Sequence, residues 1–82
     1  MKNVTIYSTP TCHFCRMAKD FFKANNINYT EYDVASNLEK RKEMIEKSGQ
    51  MGVPVILVGE GQNEEIIVGY DQGRLAKLVG IN

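Results

Sequence analysis

Val55-Ile56-Leu57-Val58 constrains this chain more than any other stretch. Successive side chains of a strand point to opposite faces, so a strand with one wet face alternates apolar with polar. Four apolar residues in a row fit a strand only when both of its faces are covered, as at the centre of a sheet. The rest of the sequence must then supply neighbouring strands and the helices that cover them. Extended back to Val53, the same stretch is the longest strongly apolar one. It falls far short of the roughly 20 residues that a membrane span requires.

The flanking sequence supplies those parts. Asn3 to Tyr7 reads as a strand built on Val4, Ile6 and Tyr7, ended by Ser8-Thr9-Pro10-Thr11. From Cys12 to about Asn25 the spacing becomes helical. Phe14, Met17, Ala18, Phe21 and Phe22 form an apolar stripe, with Lys19, Asp20 and Lys23 largely on the other face. Asn25-Asn26 ends this helix. Tyr29 to Val34 reads as a strand with one wet face. Ser36-Asn37-Leu38-Glu39 fits a capping box in which Ser36 and Glu39 satisfy orphan amides reciprocally. The helix it opens turns Leu38, Met44 and Ile45 inward and ends at Gly49. Its charged run, Glu39 to Glu43, reads as a solvated helix face in preference to a basic docking patch. Gly59-Glu60-Gly61-Gln62-Asn63 is a hairpin loop, and Glu65 to Val68 returns as a strand. Asp71 caps a last helix that turns Leu75, Leu78 and Val79 inward and ends at Gly80. The order is β-α-β-α-β-β-α. Its βαβ start implies two parallel strands, and the later hairpin adds two antiparallel ones. The expected fold is α/β, a four-stranded mixed sheet covered by helices, with residues 1–82 forming a single domain.

Charge removes several function classes. Lys and Arg number 10 and Asp and Glu number 10, a formal net charge of +0. A dedicated nucleic-acid binder needs a basic surface to displace counterions. Disorder favours low hydrophobicity and high net charge, whereas 43% of these residues are hydrophobic. The N-terminus carries no long apolar core of the secretory kind. These readings give the expectation of a soluble, cytoplasmic protein with no nucleic-acid or membrane partner. Nothing in the chain demands more than a monomer.

Cys12 and Cys15 are the chain's 2 cysteines. A disulfide-stapled secreted domain spreads more of them along its length. A pair two residues apart closes a tiny loop, so its value lies in chemistry and not in stability. The pair stands where the first strand gives way to the first helix. At i and i+3 the side chains share one helix face, about 5–6 Å apart at Cβ. A small adjustment brings the sulfurs to disulfide distance. The unsatisfied N–H groups and partial positive charge of a helix start favour a thiolate at Cys12. Cys12, the outer sulfur, is the expected nucleophile on a substrate disulfide. Cys15, one turn further in, is expected to resolve the mixed disulfide. His13 either stabilises the Cys12 thiolate or is an exposed side chain with no role, and Phe14 reads as an exposed aromatic that packs on substrates. An intrachain zinc site lacks its four ligands, because His13 is the only other soft donor. A metal or iron–sulfur cluster shared between two chains, and a non-catalytic adaptor, remain alternatives.

In these residues the sequence resembles the glutaredoxins. The likeness rests on Val4 to Cys15, on Gly52-Val53-Pro54-Val55-Ile56 and on Gly69-Tyr70-Asp71, and it covers essentially the whole chain. It implies a thioredoxin-like fold and a dithiol thiol–disulfide oxidoreductase acting on protein or glutathione mixed disulfides. It also implies a cis peptide bond at Val53-Pro54 facing Cys12. Thr11, Phe14, Val53, Pro54, Gly69, Tyr70 and Asp71 are the substrate- or glutathione-binding candidates that accompany Cys12 and Cys15. No tightly bound cofactor is implied, and glutathione enters as a co-substrate. The chain departs from the common glutaredoxin pattern at three places. His13-Phe14 replaces the usual Pro-Tyr, Thr9 stands where many have lysine, and Gln72 stands where many have a second acid. The departures at Thr9 and Gln72 remove one positive and one negative group from the glutathione site. They bring the chain toward short glutaredoxin-like proteins that take electrons from a thioredoxin-reductase-type flavoenzyme.

Overall fold

The computed structural model describes residues 3–59 and 64–80. β1 (Val4–Ser8), α1 (His13–Ala24), β2 (Thr30–Asp33), α2 (Leu38–Ser48), β3 (Val55–Val58), β4 (Glu65–Val68) and α3 (Gln72–Val79) follow one another in the order the sequence predicts. The sheet runs β2-β1-β3-β4. β1 and β2 are parallel, while β3 lies antiparallel to both β1 and β4. The predicted hairpin loop falls largely outside the described residues, at 60–63. Among the described residues no helix is long and apolar enough to cross a membrane.

The apolar run of β3 behaves as its composition requires, with every residue buried. Ile56 and Val58 join Val4, Ile6, Ala18, Phe22, Ile67 and Leu75 in one cluster, the face covered by α1 and α3. Val55 and Leu57 join Tyr7, Val34 and Met44 in the other, the face covered by α2. The strand therefore packs against helices on both sides, and no residue in it is left to face water.

Several local expectations need correction. α1 begins at His13 because Cys12 is its N-cap. Its buried residues are Cys15, Ala18 and Phe22, while Phe14 is 55% and Met17 38% exposed. Only part of the predicted stripe therefore faces the sheet. Lys19 is not on the open face but half-buried beside β2. The capping box at Ser36 does not form. Ser36 Oγ donates instead to the Asp33 carbonyl in the turn after β2, and Asn37 Oδ1 accepts the Lys40 N–H at 3.1 Å. Leu38 is 66% exposed. Met44, the buried side chain of α2, lies about 120° around the helix from it. The charged run of α2 is largely solvated, as expected. Its Lys40 pairs with Glu43 at 3.1 Å and lies 4.2 Å from the centre of the Tyr32 ring.

Candidate active site

Strand register brings distant segments to one end of the sheet. Tyr7 pairs with Val55 and Val55 with Val68, so Ser8, Pro54 and Gly69 lie one step beyond at the same edge. The Gly69 N–H donates to the Pro54 carbonyl at 2.9 Å, which ties two of these segments together. β1 runs out at this end, and four residues later the chain enters α1 at Cys12. The cysteine pair, Val53-Pro54 and Gly69-Tyr70-Asp71 thus emerge from one end of the sheet, although more than fifty residues separate the first from the last.

The loop of residues 9–12 fixes Cys12. Its N–H donates to the Thr9 carbonyl at 3.3 Å, and its own carbonyl accepts the Arg16 N–H. Its φ of −81° and ψ of 113° are those of an extended cap residue. Cys12 Sγ accepts the Cys15 N–H at 3.1 Å. The sulfur thus fills the place of the serine or aspartate oxygen that caps most helices.

Cys15 lives under different conditions. Both cysteines are free thiols, but Cys12 is half-buried whereas Cys15 is fully buried. Burial first, and then hydrogen bonding to Cys12, push the Cys15 thiol up to about 12, against a backbone hydrogen bond from Thr9 and the charge of Lys19. One sulfur is open and capped by an amide, and the other is enclosed. This asymmetry is what an attacking and a resolving thiol require.

The remaining candidates are placed as follows. Thr11 and His13 are exposed, and His13 packs edge-to-face on Phe14 at 5.6 Å between ring centres. Phe14 is exposed two positions after Cys12. Val53-Pro54 is a cis peptide bond, with Pro54 buried and Val53 half-buried. Gly69 has a φ of +87°, a left-handed conformation that glycine adopts without cost. Tyr70 is half-buried against the cluster beneath α1 and α3. Asp71 is the N-cap of α3, and its Oδ1 accepts the Arg74 N–H at 3.1 Å. A further group was not among the candidates read from the sequence. Ser8 Oγ donates to Glu31 Oε2 at 2.7 Å, and Lys19 Nζ donates to the same oxygen at 2.8 Å. The only available signal was the spacing of Lys19, one helical turn after Cys15.

An asymmetric dithiol at a helix N-terminus, at one end of a β2-β1-β3-β4 sheet, marks a thiol–disulfide oxidoreductase of the thioredoxin-like fold. Comparison with known proteins agrees. The glutaredoxin family model matches residues 4–62, and the chain belongs to the glutaredoxin family. It is 40% identical over 76 residues to an uncharacterized glutaredoxin-like 8.6 kDa protein in the rubredoxin operon of Clostridium pasteurianum, covering 93% of this chain and 96% of that one. It is 38% identical over 58 residues to glutaredoxin 3 of Escherichia coli K12, covering 71% of this chain and 70% of that one. Among solved structures, a glutaredoxin from Archaeoglobus fulgidus superimposes with a TM-score of 0.75 at 28% identity, covering 96% of this chain and 87% of that one. A mutant of a thioredoxin-like protein superimposes with a TM-score of 0.87 at 28% identity over 100% of both chains.

Proposed function

We propose that this protein is a dithiol reductase of protein disulfides and glutathione mixed disulfides, working as a monomer in a reducing cytoplasm. The observation that carries the reading is the contrast within the pair. Cys12 is accessible and accepts an amide N–H, while Cys15 is enclosed and held protonated by burial. Cys12 Sγ attacks the substrate disulfide, releases one thiol and forms a mixed disulfide. Cys15 Sγ then attacks Cys12 Sγ, releases the second thiol and leaves the Cys12–Cys15 disulfide. Two electrons pass to the substrate, and an external donor restores the dithiol.

Val53-Pro54, at the same end of the sheet as Cys12, is the segment we assign to substrate pairing. Pro54 has no N–H of its own, and the backbone of Val53 leads directly into it. An extended peptide or glutathione can pair with backbone of this kind. Gly69-Tyr70-Asp71, at the same end of the sheet, is the segment we assign to the γ-glutamyl end of glutathione. Thr9 and Gln72 weaken the charge complement of that site, and they favour a thioredoxin-reductase-type flavoenzyme as the donor.

The test is NADPH consumption with a small disulfide substrate and Cys12→Ser as the blank. One series uses glutathione with glutathione reductase, and the other uses thioredoxin reductase. Turnover above the blank with either donor supports the reading and identifies the donor. No turnover with both donors, from protein shown to be reduced, would sink it.

A further inference from the structure

Cys15 must lose a proton before it can attack, and its fully buried position opposes that. Burial, and then the hydrogen bond to Cys12, push the thiol up to about 12, so little of it is thiolate near neutral pH. A cation close to the sulfur relieves that penalty. Lys19 follows Cys15 at i+4, so its side chain starts from the same face of α1. Its Nζ is not free to wander. It lies 2.8 Å from Glu31 Oε2 on β2, and its side chain is 22% exposed. The same oxygen accepts Ser8 Oγ at 2.7 Å, and Ser8, the last residue of β1, is 2% exposed. A buried hydroxyl thus fixes the carboxylate, the carboxylate fixes the ammonium, and Lys19 itself follows Cys15 by one helical turn.

We propose that Lys19, held by Glu31 and Ser8, is a positioning residue for the resolving step, its ammonium stabilising the negative charge that develops on Cys15 Sγ. The inference rests on the dithiol reading above. In that step Cys15 gives its proton to solvent and attacks Cys12 Sγ. The Cys12–Cys15 bond forms as the bond from Cys12 to the substrate sulfur breaks. The substrate leaves as a thiolate and takes a proton from water. The charged and titratable groups around this position are Cys12, Lys19 and Lys23 from α1, Glu31 from β2 and Tyr29 just before it. Lys19 lowers the Cys15 thiol, and the Cys15 thiolate in turn raises Lys19.

The test is stopped-flow reaction of the reduced protein with dithiobis-nitrobenzoate, whose leaving thiolate is coloured. Attack by Cys12 releases one equivalent, and attack by Cys15 releases a second in a separate phase. Lys19→Met keeps most of the aliphatic stem and removes the charge. We expect its second phase to slow about tenfold at pH 7, and by a similar factor throughout the range below the Cys15 pKa. Lys19→Arg restores the rate to within about threefold, because it keeps the charge and can pair with Glu31. A Lys19→Met profile superimposable on the wild type would overturn the proposal. So would an equal slowing in Lys19→Arg, which keeps the charge; Lys19 would then be structural. If the wild type itself releases one equivalent only, the dithiol reading fails first and the proposal falls with it.

Discussion

Cys12 and Cys15 are one amino acid used in two ways, and solvent and a single amide separate them. The helix start supplies the Cys15 N–H to Cys12 Sγ, and the packing of α1 on the sheet encloses Cys15. Both consequences follow from where the pair sits relative to the cap, and that position was legible in the sequence. The neighbouring ion pair was not legible. Lys19, Glu31 and Ser8 meet only because β1 and β2 pair in parallel, and a pattern along one segment carries no information about register between two. Hydrogen bonds from Lys19 and then from Ser8 hold the Glu31 carboxyl below its usual range, while the bond to Glu31 raises Lys19. A lowered acid contributes stability above its unfolded pKa and loses it as pH falls through the folded value. A raised base contributes below its unfolded pKa and loses it as pH rises through the folded value. The pair is therefore fully effective between about pH 5 and pH 10. Both side chains are partly exposed, so its worth is discounted to about 0.5–1 kcal/mol. Glu31→Gln should lower unfolding stability by that amount at pH 7 and by almost nothing near pH 2, as read by urea denaturation at the two pH values.

At the scale of elements, the sequence indicated every strand and helix in order, but it misplaced one cap and parts of the apolar faces of α1 and α2. Ser36 and Asn37 are both good cap residues, and the pattern from Ser36 to Glu39 favoured the first. The turn after β2 decides between them. Asp33 Oδ1 accepts the Ala35 N–H at 2.9 Å, and Ser36 Oγ turns back to the Asp33 carbonyl, so the cap passes to Asn37. Removing a true cap costs about 1 kcal/mol. Asn37→Ala should therefore lower stability by about that amount in denaturant unfolding, while Ser36→Ala stays within about 0.5 kcal/mol of the wild type. Equal losses in the two variants would restore the capping box. Leu38 falls near Ile45 on a helical wheel. A wheel does not say which turns of a helix reach the sheet, and Leu38 stands in the first turn.

For the molecule as a whole, both faces of the sheet must hold for one end of it to present a site. Val55–Val58 forecast this arrangement, since a strand of only apolar residues needs a cover on each side. α1 and α3 cover one face. The other rests largely on Met44, the buried residue of α2. Met44→Ala should cost about 2–5 kcal/mol, a large share of the roughly 4–12 kcal/mol expected for a chain of 82 residues. Its denaturation midpoint in urea should fall accordingly; an unchanged midpoint would mean that α2 contributes little to the second face. The meeting of Cys12, Val53-Pro54 and Gly69-Tyr70-Asp71 at one end was legible only through the family resemblance, because strand order is not written in any single segment. The central claim, that Cys12 attacks and Cys15 resolves, is tested most directly by trapping. Reduced Cys15→Ser protein is mixed with oxidised glutathione and its intact mass measured, beside wild type and Cys12→Ser. The account predicts a persistent glutathione adduct on Cys12 in Cys15→Ser, an internal disulfide in the wild type and no adduct in Cys12→Ser. A persistent adduct in Cys12→Ser, with none in Cys15→Ser, would contradict it.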